Sequence, residues 1–186
     1  MSKKLDAIIV VDIESTCWKS NPPPGEESEI IEVGICLLDV ASATPIEKES
    51  VLVKPERSRV GKFCTELTTL TQEQVDKGVS FPEACAVLKS KYQSTQRVWA
   101  SYGDYDRNMF EKQTLRRGIK YPFGPRHINV KTLFALAYNL EKEVGMPLAL
   151  ETLKIPLEGT HHRGGDDAWN IAKILGELLL QARGQK

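Results

Sequence analysis

Ile8-Ile9-Val10-Val11-Asp12-Ile13-Glu14 is the stretch on which the fold turns. A near-continuous apolar run of this length reads as a strand covered on both faces, the kind found at the centre of a sheet. It ends in two carboxylates. Side chains alternate along a strand, so Asp12 and Glu14 share one side, roughly 7 Å apart. Acids at the end of a central strand are costly to bury unless their charge is compensated, and bound divalent cations are the usual compensation. Taken alone, the spacing equally suits a strand running out into solvent, with the acids marking its exit.

The rest of the chain narrows the choice. Its composition, 41% hydrophobic and 27% charged, is that of a globular protein and excludes a disordered one. The 186 residues read as one domain, 1–186, with room for a substantial core. Lys and Arg balance Asp and Glu at 25 each. A nucleic-acid partner would therefore be held by a local basic patch or by metal ions, not by net charge. Cys17, Cys36, Cys64 and Cys85 show neither C-x-x-C pairing nor zinc-finger spacing. The start, Met-Ser-Lys-Lys-Leu-Asp, lacks a signal-peptide core, and nowhere do 18 apolar residues run together. The cytoplasm is the expected compartment.

Beyond Glu14 the segment Asn21-Pro22-Pro23-Pro24-Gly25 reads as a rigid surface loop. Strands are expected over 29–39 and 49–54, which with the first make a three-stranded antiparallel meander. Thr71-x-x-Gln74 and Ser80-x-x-Glu83 have the form of capping boxes. Short strands follow at 98–100 and 128–130. Helices are expected from a cap at Asp104 to Arg117, and over about 131–143, 148–153 and 165–182. Strands first, then alternating helices and strands, describe an α/β fold with a mixed five-stranded sheet flanked by helices. Ligand sites in such sheets lie beyond strand ends, where Asp12 and Glu14 fall.

Two later segments carry paired acids, and helical spacing selects one member of each pair. Asp106 lies three and four residues before Met109 and Phe110, at the edge of the apolar face, whereas Asp104 aligns with Arg107 and Asn108. Asp167 lies four residues before Ile171 and borders the core face. Asp166 lines up with Asn170, Lys173 and Glu177, which are expected in solvent, and suits a first-turn charge favoured by the helix dipole.

The ordered set Asp12-Ile13-Glu14, Tyr105-Asp106 and His162 with Asp167 five residues on resembles the DEDDh 3′–5′ exonuclease family, whose fold is ribonuclease-H-like. The likeness covers nearly the whole chain. Asp-Ile-Glu-Ser-Thr-Cys (12 to 17), Glu-Ile-Ile-Glu (29 to 32), Phe63-Cys64 with Leu67-Thr68, Gln74-Val75-Asp76 and Gly164-x-Asp166-Asp167 are similar to the branch that trims histone-mRNA ends and degrades small RNAs. The chain departs from that branch in the lead Ser101-Tyr102-Gly103-Asp104 and in Asn129, which stands where many relatives place an acid.

The resemblance implies a metal-dependent 3′–5′ exonuclease that releases nucleoside 5′-monophosphates from single-stranded nucleic acid with a free 3′-OH, RNA favoured over DNA. Its cofactors would be two Mg²⁺ or Mn²⁺ ions. Such a pair activates water and stabilises charge on the phosphoryl and leaving oxygens. By the same likeness Asp12 bridges the ions, Glu14 and Asp167 help hold one, Asp106 helps hold the other through water, and His162 accepts a proton from the attacking water. Phe63, Leu67, Thr16 and Trp18 would contact the substrate, and Arg163, Arg116, Arg117 and Lys120 its phosphates. Successive residues of an extended loop point in opposite directions, so His161 is expected to face away from the site. Two other readings use the same fold: a non-catalytic regulatory interaction protein, and a proofreading subunit acting on DNA beside a polymerase.

Overall fold

The structure, a computed structural model, describes residues 4–185, and residues 1–3 of the start read above lie outside them. Five strands form one sheet. Strand β1 (Ala7–Ser15) is central, with β2 (Ile30–Asp39) and β3 (Thr44–Leu52) to one side, and β4 (Val98–Ser101) and β5 (His127–Asn129) to the other, in the order β3-β2-β1-β4-β5. The first three strands are mutually antiparallel, and β4 and β5 run parallel to β1. This is the expected mixed sheet.

Strand β3 begins at Thr44, five residues before its expected start. Pro45 falls inside it, opposite Leu38 at a break in register. An edge strand with an irregular pairing tolerates the missing N–H of proline, and β3 is such an edge.

Seven helices are described. Short α1 (Lys62–Thr68) and α2 (Gln72–Asp76) precede α3 (Phe81–Ser90), and α4 (Tyr105–Arg117) joins β4 to β5. Helices α5 (Val130–Ala137), α6 (Met146–Thr152) and α7 (Gly164–Ala182) follow. Thr71 and Gln74 cap α2 reciprocally, as the sequence suggests. Helix α5 stops six residues short of expectation. Asn139 turns left-handed at φ 50°, and the amides of Asn139 and Leu140 bond back to the carbonyls of Leu136 and Ala135. That is a Schellman closure, with asparagine in the place glycine usually takes. Among the described residues no helix is long and apolar enough to cross a membrane.

Alternation along β1 sorts the core into two layers. Ile8 and Val10 pack with α5, α6 and α7, whereas Ile9, Val11 and Ile13 pack with α3 and α4. Asp12 and Glu14 therefore project toward the α7 side. Helix α7 reaches them because Asp12 pairs across the sheet with Gly34, which has no side chain. A Cβ at Gly34 would lie 1.8 Å from the carbonyl carbon of Gly164, so the first turn of α7 can settle there only on a glycine.

Candidate active site

Four acids selected from the sequence converge where β1 ends. Strand β4 pairs with β1 only from Ile8 to Val10 and then diverges, leaving the Ile13 amide without a strand partner on that side. The carboxylate of Asp106, at the start of α4, accepts that amide at 2.9 Å. The turn into α4 is built by Gly103 at φ 107°, a conformation that favours glycine, and by Ser101, whose hydroxyl donates to the Gly103 carbonyl at 2.9 Å. The chain's departure from the usual lead into this motif is thus a turn that still delivers Asp106.

Asp104 sits at the N-cap position without capping. Its backbone is helical there, not extended, so its carboxylate pairs with Arg107 at 3.5 Å and accepts from Asn129 Nδ2 at 3.3 Å. Asn129 in turn caps α5 through Thr132 N, a supporting role.

From the other layer, α7 brings Asp167 to within metal-sharing reach of Asp12 and Glu14. One oxygen of each of the three lies within 4.8 Å of the others. Glu14, Asp106 and Asp167 are buried, and Asp12 is partly open to the cleft. Burial, reinforced by the charges of Asp106, Asp167, Glu14 and Glu32, holds the Asp12 carboxyl well above its ordinary range. Burial, with Glu32 next in importance, pushes Glu14 up to about 8. Burial raises Asp106 to about 7 and also raises Asp167. An oxygen-only donor set of crowded acids suits hard divalent cations, whose charge would relieve this repulsion.

Asp166 is drawn away from the site, as the helix-face argument requires. It pairs with Lys48 at 2.7 Å and accepts from Thr160 N at 2.8 Å. Its helical neighbour Asn170, expected in solvent, is fully buried. The loop before α7 folds back over that face, and Asn170 holds it through the amide and carbonyl of Glu158.

The two histidines depart from expectation in a more consequential way. His162 adopts a left-handed φ of 64°, so the usual alternation of an extended loop is lost. Both rings turn to the same side, stack at 4.0 Å, and line the cleft. His161 therefore does not face away. Its Nδ1 lies 3.0 and 3.2 Å from the Asp167 oxygens, which places its proton on Nδ1 when that carboxylate is ionised. His162 donates only its backbone amide to Asp167, at 2.8 Å. Its ring forms no hydrogen bond among the described residues, and burial, with the nearby His161, keeps its pKa below the ordinary value.

A fifth acid stands behind the site and was quoted from the sequence without being given a role. Glu32, fully buried, is the cross-strand neighbour of Glu14. It accepts from the Gly164 amide at 3.0 Å and from Arg163 at 3.2 Å, and Ser50 also donates to it. It thereby ties the start of α7 to the sheet. An acid inside the apolar run of β2 is the signal that could have found it.

The carboxylates floor a cleft of about 410 Å³ whose walls include Leu67, Tyr102, Tyr105, Met146 and Pro147. Of the four expected substrate contacts only Leu67 lines it. Phe63 is exposed elsewhere on α1. Thr16 is fully buried, its hydroxyl donating to the Glu27 carbonyl and accepting from the Glu29 amide, so its side chain serves the loop. Trp18 lines a neighbouring cleft. Three of the expected phosphate contacts are occupied: Arg163 by Glu32, Arg116 by Glu27, and Arg117 by Glu29 and Glu56. Lys120 is exposed.

Known proteins are similar to this chain in sequence and in fold. The chain is 32% identical to 3′-5′ exoribonuclease 1 of Rattus norvegicus over 94% of its length, and spans 53%, about half, of that relative. It is 27% identical to the 3′-5′ exonuclease Snipper of Drosophila melanogaster, covering 92% of this chain and 69% of the other. Among solved structures, the nuclease domain of 3′hExo, a DEDDh family member bound to rAMP, superposes with a TM-score of 0.86 at 27% identity, covering 97% of this chain and 95% of that one. A model of the Exonuclease family (RNase_T) matches residues 9–175. With its acids and histidine in the expected order on this fold, the chain belongs to the exonuclease family, in its DEDDh branch.

Proposed function

We propose that the protein removes nucleotides one at a time from the 3′ end of single-stranded RNA, releasing nucleoside 5′-monophosphates. The observation that carries this reading is the convergence of Asp12, Glu14, Asp106 and Asp167, with His162, on the floor of one cleft. The exonuclease family uses divalent metal ions. In this reading two are bound, Mg²⁺ or Mn²⁺, and they supply charge stabilisation on the phosphoryl and leaving oxygens. Asp12, Glu14, Asp106 and Asp167 hold them. His162, whose ring forms no hydrogen bond among the described residues and whose lowered pKa keeps it neutral near pH 7, takes the proton from the attacking water. Leu67 and Tyr105 offer apolar surface to the terminal base. The likeness to a nuclease domain carrying rAMP, and to relatives named exoribonucleases, supports RNA as the substrate class.

The test is a 5′-labelled RNA oligomer with Mg²⁺, offered with a 3′-OH or a 3′-phosphate, beside a circular strand and a matched DNA at fixed salt. A 3′-phosphate is expected to slow digestion strongly, and a 5′ label to matter little. Fragments released from the circle would overturn the exonuclease reading. Faster digestion of the DNA would overturn the choice of RNA.

Asp167→Asn is expected to be inactive and Asp166→Asn to keep most activity, since only the first carboxylate faces Asp12 and Glu14. Single-turnover rates on the same oligomer check this, and equal losses would undo the assignment made from the helix face.

A further inference from the structure

We propose that the strand 5′ of the scissile nucleotide runs through the second cleft, with Trp18 stacking on an upstream base and Lys112 meeting a phosphate. The inference rests on the exonuclease reading above and names where the rest of that substrate lies. This cleft, about 490 Å³, adjoins the first, and Cys17 lines both. Trp18, Pro22, Lys112 and Arg116 contribute to its walls.

Helix α4 links the two clefts. Its exposed residues Tyr105, Lys112 and Arg116 follow one another at intervals of seven and four, which places them on one stripe of the helix. Tyr105 belongs to the first cleft, Lys112 and Arg116 to the second. From Tyr105 to Arg116 the helix rises about 16 Å. That length accommodates no more than about five stacked nucleotides at roughly 3.4 Å each.

The charges along the second cleft are unequal in what they can still do. Glu27 is engaged by Arg57 at 3.5 Å and by Arg116, and Glu26 accepts from the Arg59 amide at 3.1 Å. Lys112 forms no ion pair among the described residues. Nor does any aromatic ring or cation among them lie against the partly exposed Trp18. An indole and an ammonium that line one cleft, both unpartnered among the described residues, suit an unpaired strand, in which a base face and a phosphate come together. A duplex would keep its bases stacked on one another.

The experiment compares hydrolysis of a ten-nucleotide oligouridylate with that of the dinucleotide UpU, and measures decamer binding by anisotropy across a salt series. The parent is expected to favour the decamer in kcat/KM, and Trp18→Ala to shrink that preference roughly tenfold, as loss of one stacking partner does. Trp18→Phe should restore most of it. Lys112→Ala should reduce the slope of log affinity against log salt by about 0.7, the value for one phosphate contact on a single strand. An unchanged length preference in Trp18→Ala, or no rescue by phenylalanine, overturns the proposal. If the parent hydrolyses neither oligomer, the exonuclease reading fails, and the anisotropy titration still decides the cleft. Equal decamer affinity in parent and Trp18→Ala would then overturn it.

Discussion

Asp12→Asn is expected to leave no metal-dependent hydrolysis above background while the protein stays folded and gains stability without metal. Asp12 is the acid on which the others press, Asp106 most strongly among them, and its replacement removes an anionic oxygen from the set it forms with Glu14 and Asp167. The stability change follows from linkage. Asp12, Glu14 and Asp106 have folded pKa values raised above those of the unfolded chain. Between roughly pH 4 and pH 8 the folded protein therefore holds protons that the unfolded chain has released. Stability of the metal-free parent must fall as pH rises through that window. The asparagine amide cannot ionise, so the variant should show a shallower fall and a Tm at pH 8 at or above the parent's. Mg²⁺ should raise the parent's Tm and move the variant's much less. Thermal melts at pH 5 and pH 8, with and without Mg²⁺, check this, alongside turnover. Near-normal turnover in a clean preparation, or a parent whose melting ignores both pH and Mg²⁺, would show that the cation site lies elsewhere.

What the sequence made legible was whatever depends on periodicity. The pairing of Asp12 with Glu14 needs only the two-residue repeat of a strand, and the choice of Asp106 and Asp167 over Asp104 and Asp166 needs only helical offsets from Met109, Phe110 and Ile171. Both are local. What escaped depends on chain segments that return from far away. Asn170 belongs to the polar side of α7 by spacing, yet the loop before that helix closes over it. Trp18 is one residue past Cys17, but the loop between β1 and β2 carries it into the neighbouring cleft. Thr16 is adjacent to the site in sequence, and its hydroxyl is spent on that loop's own backbone. No periodicity reports these turns.

Glu32 is the instructive intermediate case. Its place opposite Glu14 follows from the register of β1 with β2, which short-range pattern does not fix. Once the register is known, an acid there needs partners, and Arg163, just before α7, and the Gly164 amide at its start supply them. The contact that satisfies Glu32 also anchors the helix carrying Asp167. Gly34, two residues along β2, removes the side chain that would block that helix. The strand thus prepares the landing place of an element more than a hundred residues later, and sequence spacing within α7 alone could not disclose it.

His162→Ala is expected to lose roughly 10²-fold or more in turnover, the usual cost of removing a general base, with Mg²⁺ binding retained because the carboxylates remain. The structure sharpens the contrast with its neighbour. His161 commits Nδ1 to Asp167, so it steadies a carboxylate, whereas the His162 ring has both nitrogens free of partners among the described residues. His161→Ala should therefore cost only a few-fold, appearing as a higher Mg²⁺ requirement instead of a lost proton acceptor. The pH dependence separates them further. Burial and the nearby His161 lower the His162 pKa below the ordinary imidazole value of about 6.5, so the neutral, proton-accepting form prevails at pH 7 and above. The parent's rate should be flat there and decline as pH falls through the imidazole titration. That acid limb should persist in His161→Ala and be absent from the residual activity of His162→Ala. Rates at saturating Mg²⁺ from pH 5.5 to 8.5 test both variants together. A larger loss in His161→Ala, with the limb gone, would move the base to His161 and leave His162 as the residue whose left-handed turn merely brings its neighbour to the site.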